Sequence, residues 1–224
     1  MERVLSHVRG FRRTVPCGNS WMQLAPGDLI YDSSHGCIGR AIRFFTCSAL
    51  THVRAVCRIS ADDLGQVRDV RRFSPFWRSA WPDGLYAVES TTTHDEPCLV
   101  MHRPISGVQV HYALPVQESW LQRSVAPLSS GESHQLTEFL LDQVGTSYDL
   151  AGAGLAGTTF LKRFIPWTHR IGPPYFCDEL AGRALLYALQ GRILPEFQPG
   201  EQSPGSFSRL LVKSGLYYPL VRFR

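Results

Sequence analysis

The segment Tyr175–Leu189 places the strongest constraint on how this chain can fold. Pro173 and Pro174 stand just before it, and a residue that precedes a proline is pushed out of the α region, so the approach is extended. Beyond Cys177 the apolar residues recur three or four positions apart, which is the period of an amphipathic helix, and Gly191 follows as a candidate end. The spacing therefore predicts a buried helix that begins at Cys177.

A cysteine in the first turn of a helix can play either of two roles. The unpaired backbone N–H groups at that end favour negative charge, so they help a thiol to ionise and can hold an oxyanion. The alternative is a cysteine that only packs in the core. The junction of extended chain and helix makes Cys177 a candidate nucleophile, and the choice between the two roles depends on its partners.

Composition limits the classes of protein that need to be considered. The chain has 224 residues, of which 44% are hydrophobic and 11% aromatic, so we expect one globular domain over residues 1–224, with residues 1–23 as an N-terminal extension. The net charge of +4 is too small to indicate nucleic acid as a partner. The six cysteines form no C-x-x-C pair and have no zinc-like spacing with histidine, so we expect neither a metal site nor a cofactor.

The ends and the apolar runs of the sequence bear on where the protein acts. No apolar run has transmembrane length, and the N-terminus lacks a signal-peptide pattern, so we expect a soluble protein that is cytoplasmic where it is made. Delivery elsewhere by a secretion system, a phage particle or lysis stays open. The arginine-rich opening leaves contact with a membrane surface open, although a solvated segment is the simpler interpretation. The sequence does not indicate an oligomeric state.

Strand patterns dominate the first half of the chain and helix patterns the second. The segments with strand character are 29–31, 51–59, 85–89, 99–101 and 108–114, and in the second of these the odd-numbered residues from Val53 to Ile59 share one face. Helices are predicted over 38–45, 133–144, 177–189 and 207–212, and Ser203-Pro204-Gly205 is predicted to be a loop. The pattern favours an α+β fold with an antiparallel sheet or partial barrel first and the Cys177 helix second.

A nucleophilic thiol needs a base, and the base needs a group that orients it. Among eight histidines, His52 is the best candidate for the base because it opens a strand after a turn, although a half-buried histidine bonded to the backbone would look the same. Glu89, at the end of a neighbouring strand, is the candidate for the orienting acid, although such a residue is often only solvated. The Tyr148 hydroxyl could reach a cleft, or the ring could pack on the preceding helix.

Five short motifs occur in an order that resembles a known family. They are Gly27-Asp28-Leu29-Ile30-Tyr31, Ile42-Arg43-Phe44-Phe45-Thr46, Thr51-His52-Val53, Val88-Glu89 and Tyr175-Phe176-Cys177-Asp178-Glu179-Leu180. In this order they resemble the circularly permuted papain-like amidases of the YiiX/YaeF/YebB type, which are relatives of the NlpC-type peptidases and of lecithin:retinol acyltransferase. The resemblance covers residues 27–189, and Ser203-Pro204-Gly205 is a candidate extension of it.

The resemblance implies a fold and a set of roles. It implies a circularly permuted papain-like (NlpC-type) fold in which the sheet precedes the nucleophile helix. By position, Cys177 matches the nucleophile, His52 the base and Glu89 the orienting acid, and Tyr148 matches a tyrosine that helps to hold the oxyanion.

Two residues depart from the pattern of this family. Asp178 stands where the family commonly has a serine, and Arg54 stands where a glycine often follows the His-Val pair. A carboxylate beside the sulfur opposes thiolate formation, whereas Arg54 could pair with Asp178 or with an anionic substrate. We therefore include both residues as candidates for the oxyanion and substrate-binding site.

These residues predict a cysteine hydrolase that cleaves an amide through an acyl-enzyme, with Cys177, His52 and Glu89 as the triad. The substrate could be a peptide, an isopeptide or a lipid amide. An acyltransferase would use the same triad with an amine or lysolipid in place of water. A structural or effector-associated module that keeps the fold without catalysis is the third alternative.

Overall fold

An antiparallel sheet and a set of helices form the part of the chain that the structure describes. The computed structural model describes residues 23–33, 39–40, 43–44, 48–75, 81–92, 97–113, 119–149, 174–190 and 202–222. The strands are β1 (Leu29–Asp32), β2 (His52–Ile59), β3 (Gly84–Thr91), β4 (Gly107–Tyr112), β5 (Trp120–Gln122) and β6 (Val221–Arg222). The helices are α1 (Ala61–Gln66), α2 (Ser130–Gln143), α3 (Cys177–Ala188) and α4 (Pro204–Lys213), and a 3-10 turn spans Val70–Arg72.

The six strands form one sheet in the order β4-β3-β2-β1-β5-β6, and every neighbouring pair is antiparallel. Strand β2 lies between β1 and β3, because Ala55 pairs with Leu29 on one side and with Val88 on the other. The prediction of an α+β protein with an antiparallel sheet is confirmed. Within the described ranges, none of the helices has both the length and the apolar character needed to cross a bilayer.

Alternation along β2 separates two apolar clusters. The odd-numbered residues from Val53 to Ile59 belong to the large core, together with buried side chains of α2 and α3 such as Leu140 and Leu185. Val56 points to the other face and packs with Ile30. Burial of one face of β2 under the helices fixes the register of the strand, since a slip by one residue would reverse the two faces. The predicted apolar face of this strand is confirmed.

The end of α2 is tied to the start of β4, and this connection leads the chain toward Tyr148. Helix α2 starts with a capping box, in which the Ser129 hydroxyl accepts from the Glu132 backbone N–H and the Glu132 carboxylate accepts from the Ser129 backbone N–H. After the helix, Val108 N–H donates to the Thr146 carbonyl at 2.9 Å and Gly145 N–H donates to the Val108 carbonyl at 2.8 Å.

Some local predictions are wrong, each for a physical reason. Residues 99–101 form a turn closed by a bridge between Cys98 and Arg103. Val100 is buried although it lies in this turn, so its apolar side chain indicates burial and not a strand. Ser203 is the N-cap of α4 and Pro204 its first residue, so this segment is a helix start and not a loop. Strands β5 and β6 have three and two residues and carry no periodic signal of their own.

Several predicted segments lie wholly or mainly outside the described residues. They are the N-terminal extension, most of the helix predicted over 38–45, and the candidate helix end at Gly191. Residues 39–40 and 43–44 of the predicted helix are described, and they are helical.

Candidate active site

Cys177 is the first residue of α3 and follows a segment that is anchored at Tyr175. Tyr175 forms a parallel bridge with Tyr148, and its carbonyl accepts from the Asp149 backbone N–H at 3.1 Å. The same carbonyl accepts from the Ser90 hydroxyl at 2.6 Å. These bonds join the chain before the helix to β3 and to the segment after α2, and they hold Cys177 at the end of the sheet.

His52 lies at this end of the sheet because it is the first residue of β2. Its backbone pairs with Asp32 of β1, and its imidazole lies near enough to the Cys177 thiol for each group to shift the pKa of the other. The thiol is buried, with 3% of the Cys177 surface exposed, whereas 18% of the His52 side chain is exposed. The base candidate therefore lies beside the nucleophile candidate, although 125 positions of the sequence separate them.

Glu89 is the carboxylate partner of His52. Its Oε2 contacts Nε2 of His52, and only 13% of the Glu89 side chain is exposed. The structure thus brings the thiol, the imidazole and the carboxylate together, with the imidazole between the other two groups. This is the order that acid–base activation of a thiol requires.

The imidazole and the carboxylate stabilise each other's charge. Burial lowers the pKa of His52, but the negative charge of Glu89 and hydrogen bonds to Cys177 and Glu89 raise that pKa well above its ordinary value. Burial raises the pKa of Glu89, but the positive charge and hydrogen bond of His52 overcome this and leave the pKa lowered. At neutral pH the pair is therefore imidazolium and carboxylate.

The thiol is held in its protonated form. Burial raises the pKa of Cys177, the hydrogen bond and charge of His52 oppose that rise, and the charge of Asp178 adds to it. The thiol donates to Oδ1 of Asp178 at 3.7 Å. The helix N-terminus was expected to help the thiol ionise, but burial dominates here.

Arg54 contacts a carboxylate that the sequence analysis did not single out. Its Nη2 lies 2.7 Å from Oδ2 of Asp32, and Oδ1 of Asp32 accepts from the Ser119 hydroxyl at 2.5 Å. The Arg54 side chain is 10% exposed, and its charge also lowers the pKa of Glu89. The ion pair made by Arg54 thus joins the neighbouring strands β2 and β1.

Tyr148 lies beside the start of α3. Its ring packs against Phe176, and its pKa is raised by burial and then by the charges of Cys177, Asp178 and Asp149. From its sequence position, Tyr148 could either reach the cleft or pack on the preceding helix. The ring lies at the Cys177 side, which keeps its hydroxyl as a candidate oxyanion donor.

Asp32 and His111 also belong to this cluster, and the sequence analysis did not name them. Nε2 of His111 lies 3.5 Å from Oε1 of Glu89. Alternation was the available signal, since His111 and Gln109 occupy the polar positions of a strand that is otherwise apolar. Within the described ranges, no group of three or more His, Cys, Asp or Glu residues is arranged to hold a metal ion.

The fold and this cluster define an α+β protein with a Cys–His–Glu series at the junction of its sheet and a helix. No protein-family model and no curated protein matches the chain. Among solved structures, it is similar to the crystal structure of the metalloprotein yiiX (DUF1105) from Escherichia coli O157:H7. The two share 15% sequence identity with a TM-score of 0.47, over 90% of this chain and 97% of that chain.

Proposed function

We propose that this protein is a cysteine hydrolase with a circularly permuted papain-like fold, and that it cleaves an amide through Cys177, His52 and Glu89. The observation that carries the proposal is the cluster in which the Cys177 thiol lies beside the His52 imidazole and that imidazole contacts the Glu89 carboxylate. Permutation is consistent with the chain order, in which the strands that bear His52 and Glu89 precede the helix that bears Cys177.

The first half of the reaction forms an acyl-enzyme. Since the pKa values of His52 and Cys177 are both raised, one proton must leave the resting pair before the imidazole can act as a base. His52 then takes the thiol proton, and the sulfur attacks the amide carbonyl carbon. When the C–N bond breaks, the imidazolium gives its proton to the leaving nitrogen, and a thioester remains on Cys177.

The second half releases the acyl group. His52 takes a proton from water, the resulting hydroxide attacks the thioester carbonyl, and the C–S bond breaks to give a carboxylic acid and the free cysteine. In both halves the oxyanion is held by backbone N–H groups at the start of α3, and Tyr148 supplies a hydroxyl on the same side.

Glu89 has an orienting role in this scheme. Its carboxylate fixes the orientation of the imidazole and stabilises the imidazolium that forms when the thiol loses its proton. The substrate class is an amide of a peptide, an isopeptide or a lipid, since the chemistry of the three residues is the same for each.

Turnover of a panel of amides by matched variants tests this proposal. The panel contains peptides, isopeptides and fatty-acyl amides, and the test variants are Cys177→Ala and His52→Ala. Cys98→Ala and His134→Ala are the controls, because Cys98 is a buried cysteine with a raised pKa and His134 is a half-exposed histidine that contacts Asp63.

We expect hydrolysis of at least one class by the wild type and both controls, and none by the two test variants. Circular dichroism checks that every variant is folded. Hydrolysis by folded Cys177→Ala at the wild-type rate would overturn the proposal.

A further inference from the structure

The Glu89 carboxylate is shared by two imidazoles that come from the strands on either side of it. Oε2 contacts Nε2 of His52 on β2, and Oε1 lies 3.5 Å from Nε2 of His111 on β4. The side chains of Glu89 and His111 are 13% and 11% exposed. Both oxygens of this nearly buried carboxylate therefore have a histidine partner.

The register of the sheet explains the arrangement. Glu89 stands opposite Gln109 and Ala87 stands opposite His111, so His111 is a diagonal neighbour of Glu89 across the β3–β4 pair. Long side chains reach each other across such a diagonal. Val88 stands opposite Ala55, and continuing that register by one residue brings Arg54 opposite Glu89.

His52 and His111 lie on opposite sides of Glu89 along the strand. His52 precedes Arg54 by two residues, toward the end of the sheet that holds Cys177, whereas His111 lies opposite Ala87, toward the Gly84 end of β3. The series that begins at the thiol therefore runs through His52 and Glu89 to a second imidazole.

We propose that His111 is a positioning residue that holds the Glu89 carboxylate in the orientation that presents Oε2 to His52. This inference rests on the proposed hydrolase function and adds a residue to it. The terminal torsion of a glutamate is broad, so a carboxylate held at one oxygen alone can rotate. A second contact at Oε1 restricts that rotation.

The role of His111 is geometric more than electrostatic. The groups that face Glu89 are His52 and Arg54 from β2 and Gln109 and His111 from β4. Among the charges that lower the pKa of Glu89, His52 has the largest effect, Arg54 the next and His111 the smallest. Removal of His111 therefore leaves Glu89 ionised and takes away the contact at Oε1.

A matched set of His111 variants tests the proposal. His111→Ala removes the contact, whereas His111→Gln keeps an N–H donor near the position of Nε2. Each is made in the wild type and in Glu89→Gln, with His134→Ala as the control histidine. The readouts are kcat and KM for an amide substrate and the His52 pKa from NMR titration of the imidazole, assigned by comparison with His52→Ala.

We expect His111→Ala to lower kcat on the order of 10-fold with KM unchanged, which is the size of effect seen when a hydrogen-bond partner that orients a functional side chain is removed. The His52 pKa should fall, because the carboxylate that supports the imidazolium is less well placed. His111→Gln should restore most of both values, and in the Glu89→Gln background His111→Ala should change neither.

Two outcomes overturn the proposal. A rise of the His52 pKa in His111→Ala would mean that His111 acts as a nearby positive charge and not through the position of Glu89. An equal effect of His111→Ala in the Glu89→Gln background would mean that His111 acts by another route. The NMR titration does not depend on turnover, so failure to find any hydrolysis would refute the hydrolase and still leave the positioning role tested.

Discussion

The Cys177 thiol and the Asp178 carboxylate are neighbours in the first turn of α3, and the sulfur donates to Oδ1 at 3.7 Å. Both residues are buried. An acceptor beside a buried thiol stabilises the protonated form, because the alternative brings two negative charges together. Asp178, which departs from the pattern of the family that the sequence resembles, therefore opposes the effect of His52, which favours the thiolate.

Replacement of this carboxylate should make the thiol more acidic. We expect Asp178→Ser to lower the Cys177 pKa and to speed alkylation by iodoacetamide at neutral pH, measured as labelling rate against pH. Loss of a buried negative charge at a helix N-terminus should cost up to about 2 kcal/mol of stability. Glu179→Gln is the matched control, since Glu179 stands in the same turn but pairs with Arg183 at 2.8 Å. An unchanged Cys177 pKa in Asp178→Ser would contradict the assigned effect of this carboxylate.

The three members of the series should differ in what their loss costs. Cys177→Ala and His52→Ala should abolish amide hydrolysis, because the first removes the nucleophile and the second removes the base. Glu89→Gln should lower kcat roughly 10²- to 10⁴-fold and leave measurable activity, since an orienting carboxylate does not enter the bond-making steps. Steady-state rates for folded variants measure this. Complete loss in Glu89→Gln would show that the carboxylate does more than orient His52.

The pH profile of kcat/KM should report the raised pKa of His52. A group with a raised pKa keeps its proton to higher pH, and the His52 imidazole and the Cys177 thiol together must lose one proton before they can react. Activity should therefore rise with pH along an acid limb that lies above the ordinary histidine value of about 6.5. Glu89→Gln removes the charge that raises this pKa, so its acid limb should move to lower pH. A limb that stays in place in Glu89→Gln would show that another group controls it.

Gly107 should be intolerant of a side chain, because of its conformation and its surroundings. Its φ is +130°, and an added Cβ would lie 1.9 Å from the Thr146 carbonyl oxygen. We expect Gly107→Ala to lower the free energy of unfolding by at least about 2 kcal/mol in urea denaturation. Gly131, with no atom within 4 Å of an added Cβ in the first turn of α2, is the control. Gly131→Ala should be neutral or stabilise by up to about 1 kcal/mol, and equal stabilities for the two variants would contradict this account of the β4 connection.

Local periodicity predicted the parts of the structure that burial determines. The α3 helix starts at Cys177 and one face of β2 lies in the core. Apolar residues at helical spacing share one face of a helix, and those at alternating positions share one face of a strand, so each set is buried on that face. The turn at residues 99–101 and the helix start at Ser203 could not be found in this way, since long-range packing and capping decide them.

The contacts within the candidate site were harder to foresee than its members. His52 and Glu89 were predicted from their places at the ends of two strands, but which oxygen meets which imidazole depends on the register of three strands. For the same reason Arg54 was not assigned to Asp32, which lies on the other neighbouring strand. His111 was missed because alternation marks it only as a polar position of a strand and does not show that it reaches Glu89.

Labelling by an electrophilic acyl probe tests the central claim most directly, because it asks whether Cys177 is the residue that is acylated. The protein is treated at neutral and alkaline pH, and the modified cysteine is identified by peptide mass mapping. We expect the label on Cys177 in the wild type, much less in His52→Ala and none in Cys177→Ala. Buried Cys57, whose pKa burial raises to about 12, should remain unmodified. Equal labelling of folded Cys177→Ala, or a label on other cysteines while Cys177 stays unmodified, would contradict the account.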